Sequence, residues 1–350
     1  MILSTNLTNM EFLITGGAGS LGHTLTKLLL TEYRPKGIRI YSRDEGKHWL
    51  LKQKIDKWKK ESSTNIKTNV SFCIGDLRDE SRLSLAMNGV DIVIHAGAMK
   101  QIGACEENPI EAIQTNIVGT QNVITASLKN SSIKKVFNIG TDKDCYPTTL
   151  YGGTKFVAEK LIIDANVYSQ GKERRPQFYS FRYGNIIGSK GSVVQLFREQ
   201  MKSGELTITD PNMTRFWITL QKVARFILFC ISSSLENKEG FRGGEVFIPQ
   251  MPSASILDIA NIISPESSKV ITGIRKNEKL HEMMIHPIES LNAEIRNLPS
   301  SLKKEGMKNF FIIHPNKKIH KEGFSYSSYG NPWKLDKDIL DKWINEQYAY

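Results

Sequence analysis

The chain has 350 residues, 40% hydrophobic and 24% charged. This is an ordinary globular composition, long enough for one large domain or two interlocked ones, and it excludes a disordered polypeptide. The longest apolar run, Phe226 to Ile231, falls far short of the roughly 20 residues a membrane helix needs, so no membrane partner is expected. A net charge of +11 raises the question of nucleic acid, but much of the excess lies in KHWLLKQKIDKWKKE, Lys47 to Glu61. That stretch reads as one face of a solvated helix, and no nucleic-acid partner is expected. The first residues, MILSTNLTNM, carry no charged leader followed by a long apolar stretch, so a cytoplasmic location is expected. Cys73, Cys105, Cys145 and Cys230 lie far apart with no CxxC pair, which argues for reduced thiols and no metal site.

Through the first half, short β-branched runs alternate with helical patterns. Strands are expected at Glu11 to Thr15, Gly37 to Tyr41, Val70 to Gly75, Asp91 to His95, Lys135 to Gly140 and Gln177 to Tyr183. This rhythm predicts an α/β fold, a Rossmann-type doubly wound parallel sheet. After Tyr183 the pieces become shorter, with one later strand-like run, Glu245 to Pro249. The second half therefore reads as a smaller, interleaved α/β substrate-binding part. The expected division is residues 1–184, with 218–250 returning, against 185–217 and 251–350.

The first strand runs directly into Thr15-Gly16-Gly17-Ala18-Gly19-Ser20-Leu21-Gly22, followed by a helical pattern with Leu21, Leu25, Leu28 and Leu29 on one face. Glycines 16, 19 and 22 permit a tight turn, close approach of backbone N–H groups to a pyrophosphate, and close helix–strand packing, so the loop predicts a bound dinucleotide. The second strand ends in Tyr41-Ser42-Arg43-Asp44. Ser42 and Arg43 suit a 2′-phosphate, which favours NADP; Asp44, if turned toward the ribose, would suit NAD, and the residues leave that choice open. Asp76 closes the third strand as a partner for the adenine amino group or as a helix N-cap. The expected cofactor set is Gly16, Gly19, Ser20, Leu21, Gly22, Ser42, Arg43, Asp76, Leu77, Ala96 and Lys155.

Tyr151 and Lys155 are four residues apart at an expected helix start, so both project from one face. An ammonium near a phenol favours the phenolate, which could accept a hydroxyl proton. Tyr168 and Lys172 share the spacing without a following helix. What distinguishes Tyr151 is its position just after the fifth strand, whose end carries Thr141-Asp142-Lys143. Lys143 alone reads equally as a solvated loop charge. Cys145 has no His near it in sequence and reads as structural.

The stretches TGGAGSLG, YSRDE, IGDLRDE, HAGAMKQ, ENPIEAIQTNIVGTQNV, GTDKDCYPTTLYGGTK, FRYGNIIGSKGSVV, DPNMTRFWIT and GIRKNEKLHEMMI run almost end to end. On them the chain resembles the extended short-chain dehydrogenase/reductases, and among these the inverting UDP-N-acetylglucosamine 4,6-dehydratases. The retaining dehydratases carry Asp then Glu after the threonine, whereas the inverting family carries Asp then Lys, as Asp142-Lys143 does here. Membrane-anchored relatives usually have Met in place of the tyrosine.

The resemblance implies catalysis by Thr141, Asp142, Lys143, Tyr151 and Lys155: Tyr151 takes the 4-hydroxyl proton, Lys143 the carbon-5 proton, and Asp142 protonates the departing 6-hydroxyl. It implies a UDP-sugar bound by Lys100, Asn185, Val194, Thr209, Arg215, Arg275 and Glu278, with the two arginines on the diphosphate, and a homo-oligomer such as a hexamer. The chain departs from the family at Lys276-Asn277, where Pro-Gly is usual, and in most of the basic stretch from Lys52 to Asn69. The competing expectations are a UDP-hexose 4-epimerase, a 5,6-dehydratase and a non-catalytic NADP-sensing protein.

Overall fold

The computed structural model describes residues 5–62, 64–169, 176–188, 192–236 and 240–348. The chain forms two compact units: Met1–Gly140 with Gly153–Phe181 and Ala224–Phe247, and Thr141–Gly152 with Arg182–Val223 and Ile248–Tyr350.

Strand and helix alternate from the start: β1 (Glu11–Thr15), α1 (Ser20–Leu28), β2 (Gly37–Ser42), α2 (Glu45–Glu61), β3 (Asn69–Ile74), α3 (Glu80–Met87), β4 (Ile92–His95), α4 (Ile102–Glu107), α5 (Pro109–Ile113), α6 (Gly119–Lys129), β5 (Lys135–Ile139), α7 (Leu150–Asp164) and β6 (Gln177–Phe181). The strands lie in the order β3-β2-β1-β4-β5-β6, every pair parallel. The order reverses between β1 and β4, the switch point where doubly wound sheets hold ligands. β4 and β5 are buried along their whole length and β1 along all but its first residue. Cover on both faces explains why they read as continuous apolar runs rather than alternating ones.

On one side Leu83, Ala86 and Met87 of α3 and Val123 and Ala126 of α6 join Leu13, Val93 and Val136 in a single buried cluster. On another an aromatic group stacks Phe137 on Tyr179 at 5.0 Å and sets Phe181 5.5 Å from Phe247, contributing area and ring geometry together. α2 buries only His48, Leu51 and Ile55 and turns most of its lysines outward, the solvated helix face expected of the basic stretch.

The chain continues as β7 (Asn185–Ile186), α8 (Val193–Gln200), β8 (Glu205–Ile208), β9 (Thr214–Ile218), α9 (Leu220–Glu236) and β10 (Val246–Pro249), which pairs parallel with β6. It closes with β11 (Ser253–Ser255), α10 (Ile256–Ile263), β12 (Ser268–Ile271), β13 (Met283–Ile285), α11 (Pro287–Ser290), β14 (Ala293–Asn297), α12 (Ser300–Lys304), β15 (Asn309–Ile313), β16 (Tyr326–Ser327) and α13 (Lys337–Tyr348). In the second unit β9 joins β7 and β11, β8 joins β12, and β13 pairs with β16. Its core gathers Val194 and Phe197 of α8, Trp217 of β9, Ile256 and Ile259 of α10, and Leu340 and Trp343 of α13.

The sequence pattern finds β10 in this region and misses the others. Strands two to five residues long are too short to establish a period. The sixth strand ends at Phe181, two residues earlier than expected. Arg182 leaves the ladder because its guanidinium, 2% exposed, pairs with Asp144 at 3.3 Å and Glu289 at 2.6 Å. A buried charge needs such partners. Among the described residues no helix is long and apolar enough to cross a membrane.

Candidate active site

In the first unit, the loop between β1 and α1 has no room for a side chain at Gly16 or Gly17, nor the helix it opens at Gly22. Gly16 has φ +63°, and a Cβ there would lie 2.7 Å from Gly97 Cα; a Cβ on Gly22 would lie 2.2 Å from Gly17 O. Gly19 caps α1 without a side-chain hydrogen bond. The opening N–H groups of the helix, beginning at Ser20 and Leu21, are thus left to an anion at the positive end of the dipole. A cradle that a Cβ at Gly16 or Gly17 would fill, ending in N–H groups without a side-chain cap, fits a dinucleotide pyrophosphate.

The neighbouring loop starts at Ala96, whose N–H donates to Thr15 O at 3.2 Å. His95 lies between Thr15 Oγ1 at 2.8 Å and Thr120 Oγ1 at 3.0 Å. Burial, then the Lys155 charge, pushes its pKa down to about 3, so it is a neutral bridge. Lys155 donates to Ile139 O at 2.7 Å. Asn116, unmarked by any sequence motif, donates to Thr154 Oγ1 at 3.0 Å and Met99 O at 3.1 Å, fixing α7 to the loop that carries Lys100.

At the end of β2, Asp44 caps α2 by accepting from Lys47 N at 2.9 Å and pairs with Lys47 Nζ at 2.7 Å. Arg43 is 57% exposed and 3.5 Å from Asp76, and Ser42 Oγ contacts His48 Nε2 at 2.6 Å. Asp76 accepts from Arg78 N at 2.9 Å and Nη2 at 2.7 Å. It is not the N-cap the sequence offered as an alternative: Asp79 caps α3, because its carboxylate stands three residues before Arg82 N and accepts from it at 2.9 Å. Leu77 is buried, and a Cβ on Gly97 would lie 2.9 Å from its Cδ1.

The segment after β5 belongs to the second unit, where four of the five expected catalytic residues meet. Thr141 Oγ1 donates to Asp142 Oδ1 at 3.0 Å, and Lys143 Nζ donates to the same oxygen at 3.0 Å and to Asn185 Oδ1 at 3.1 Å. The Asp142 backbone N–H is fixed on Tyr183 O at 3.1 Å. Asp142 is fully buried, and its Oδ2 has no hydrogen-bond partner among the described residues. An unused buried carboxylate oxygen is costly unless something else supplies a donor.

Burial opposes the charge on Lys143, but the Asp142 and Glu282 carboxylates outweigh it and raise the ammonium above the ordinary lysine range. Tyr151 is buried and hydrogen-bonded to Thr141; burial, with the charges of Asp142 and Asp144, raises its phenol far above the ordinary value. Lys155 stands one turn further along α7. Tyr168 falls in a short turn over Ala165–Ser169, and Lys172 lies outside the described residues. The Cys145 thiol is buried against Glu289 at 3.5 Å and raised by burial and that charge, the opposite of an activated nucleophile.

The residues expected at a UDP-sugar divide by exposure. Arg275 is exposed, and no described residue pairs with its guanidinium. Arg215 is buried and donates to the carbonyls of Thr214, Lys279 and Leu280 at 2.8–3.0 Å, with Glu278 at 3.5 Å. Its donors are largely committed to protein. Val194 has its side chain wholly in the core, so any ligand contact there falls to its backbone. Thr209 is half-buried past the end of β8, and Lys100, in the first unit, is exposed. Asn277 has φ +61°, the left-handed region that Asn tolerates and Gly favours, and its carbonyl accepts from Thr148 Oγ1 at 2.8 Å. Asn277 thus adopts a backbone conformation that a glycine at this position would also accept.

A doubly wound sheet with this glycine loop and a Tyr-x-x-x-Lys helix is the architecture of a nucleotide-dependent short-chain dehydrogenase/reductase. The chain is 45% identical over 343 residues to the UDP-N-acetylglucosamine 4,6-dehydratase (inverting) of Campylobacter jejuni strain 81-176, covering 95% of this chain and 96% of that one. It is 36% identical over 291 residues to the UDP-glucose 4-epimerase of Rickettsia canadensis, covering 81% and 79%. The solved structure of Pen from Bacillus thuringiensis superposes with a TM-score of 0.80 at 33% identity, covering 97% and 99%. Residues 12–299 match the family described as polysaccharide biosynthesis protein, and the chain belongs to it, as a member of the inverting UDP-N-acetylglucosamine 4,6-dehydratase group of extended short-chain dehydrogenase/reductases.

Proposed function

We propose that this protein performs the inverting 4,6-dehydration, with 5-epimerisation, of UDP-N-acetylglucosamine to UDP-2-acetamido-2,6-dideoxy-β-L-arabino-hexos-4-ulose, a lyase reaction that opens a route to an L-configured amino sugar. The observation that carries this reading is the buried Asp142–Lys143 pair, with the spare Oδ2 of Asp142 beside it. A simple 4-epimerase has no step that needs a second acid–base pair.

A nicotinamide held in the first unit would supply the acceptor and donor for one hydride. Gly16, Gly19, Ser20, Leu21 and Gly22 would hold its pyrophosphate, with Leu77, Ala96 and Lys155 further along the same ligand. We favour NADP: Asp44 is occupied at its helix cap, leaving Arg43 as the exposed charge after β2, and an exposed guanidinium suits a 2′-phosphate.

Tyr151, linked to Thr141 and supported by Lys155, takes the 4-hydroxyl proton. The 4-ketone acidifies carbon 5. Lys143, as the amine, takes that proton while Asp142 gives its own to the departing 6-hydroxyl, and water leaves. The pair holds one proton before and after this exchange. When Tyr151 returns to carbon 5 the proton taken from the hydroxyl, the balance closes with every residue restored. Arg275 would hold the diphosphate, with Asn185, Thr209 and Glu278 around the nucleoside and sugar; Arg215 shapes the wall behind them.

The reading extends to a cytoplasmic homo-oligomer, measurable by light scattering. A proton NMR time course with UDP-N-acetylglucosamine in deuterated water tests the chemistry. The expected product has lost water, carries deuterium at carbon 5 and has the L configuration there. An isomer that keeps all its oxygen would replace the dehydratase reading with an epimerase one.

A further inference from the structure

Glu282, in the KLHE stretch before β13, is a carboxylate 3% exposed and surrounded by cations. Its Oε1 lies 3.8 Å from Lys143 Nζ and 4.0 Å from Arg215 Nε, and its Oε2 lies 2.6 Å from Lys279 Nζ. Its backbone is pinned on both sides, the N–H donating to Ser328 Oγ at 2.9 Å and the carbonyl accepting from Ser328 N at 2.8 Å. The strand–strand frame of β13 and β16 therefore fixes where this charge sits.

A carboxylate taken out of water is retained only against compensating charge. Arg215 and Lys279 would suffice. The third cation is the amine assigned to the carbon-5 proton. Asp142 and Lys143 can exist as carboxylate with ammonium or as carboxylic acid with amine, two forms separated by one proton across a 3.0 Å hydrogen bond. Only the second form has the amine and the acid that dehydration requires.

We propose that Glu282 is a positioning residue that sets the balance between these two forms and keeps the single working proton on the Asp142–Lys143 pair between turnovers. The proposal rests on the reading above that this pair exchanges protons with the sugar. The charges facing Lys143 are Asp142 and Glu282 on the negative side and Arg215 on the positive side, with Lys279 and Glu278 behind them. Glu282 and Asp142 together favour the ammonium, Arg215 disfavours it, and Asn185 Oδ1 accepts a hydrogen bond from Lys143 Nζ at 3.1 Å without adding charge. Without Glu282 the pair loses its proton to solvent at a lower pH, and the leaving hydroxyl then has no acid.

Competitive labelling with trace acetic anhydride, read at the Lys143 peptide by mass spectrometry across pH, reports the amine in the full-length protein without turnover. In Glu282→Gln the labelling midpoint of Lys143 is expected to fall by about one pH unit or more, and the alkaline limb of kcat to move down with it. Glu282→Asp, which keeps a buried carboxylate but draws it back from Lys143 by one methylene, should give an intermediate shift and serves if the glutamine variant does not fold. A folded variant whose Lys143 midpoint stays at the wild-type pH overturns the proposal. Failure of the reaction reading looks different: the midpoint shifts as expected, yet wild type releases no dehydrated sugar.

Discussion

Asp142 and Lys143 occupy adjacent positions whose separate roles depend on a single shared hydrogen bond at 3.0 Å. Lys143→Met removes the base without adding a polar group, and kcat for loss of water should fall about 10²- to 10⁴-fold, read by release of the 4-keto sugar. The binding of UDP, measured calorimetrically, should change little. Asp142→Asn leaves Lys143 without its buried partner, and the same assay should show a comparable fall. The residue types and their order were legible in the sequence, because Asp then Lys after a threonine separates the inverting pattern from the retaining one. Glu282 was not. One charged residue before an apolar run reads as exposed, and only its burial among Arg215, Lys143 and Lys279 reveals otherwise. Nor were the partners of Arg215 legible: an arginine expected at phosphate has three of its donors on backbone carbonyls, whereas no described residue pairs with the Arg275 guanidinium.

At the level of elements, the β1–α1 loop was readable because its glycines answer a geometric demand that local sequence records. Gly16→Ala would place a methyl 2.7 Å from the Gly97 backbone at a positive φ. Dinucleotide affinity should fall at least about tenfold, by fluorescence titration, and stability by about 1–3 kcal/mol. Asn277 tests the loop proposed to face the substrate. Asn277→Gly should melt within a degree or two of wild type, whereas Asn277→Val, a branched side chain at φ +61°, should cost about 1–2 kcal/mol and raise KM for the UDP-sugar more than it lowers kcat. Helix α2 was legible as a solvated face because only three of its positions are buried. The sequence left Asp76 open as an N-cap; the cap of α3 is Asp79, because the helix begins only at Glu80.

Across the whole molecule, the two units are each assembled from separate stretches of chain. Protonation offers a way to measure the stability of the first unit. His95 is held neutral with its pKa near 3, against about 6.5 in an unfolded chain. The unfolded state therefore binds the extra proton first, and the stability this group contributes is complete above pH 6.5 and declines as pH falls toward 3. Between pH 7 and 4.5 the loss should be about 3 kcal/mol. It should be absent from His95→Gln, as compared by denaturant titrations at both pH values.

The sequence by itself determined the doubly wound alternation of short buried strands and helices, and it carried the spacing of the glycine loop and of the Thr-Asp-Lys and Tyr-x-x-x-Lys sets. These depend on local periodicity, on glycine geometry and on fixed spacing. Tertiary structure alone decided which charges are compensated. It placed Arg182 against Asp144 and Glu289, Arg215 against backbone carbonyls, and Glu282 beside Lys143. Electrostatic partnership in a buried setting depends on distance and desolvation between residues up to about 140 positions apart in the chain, and no local pattern encodes it.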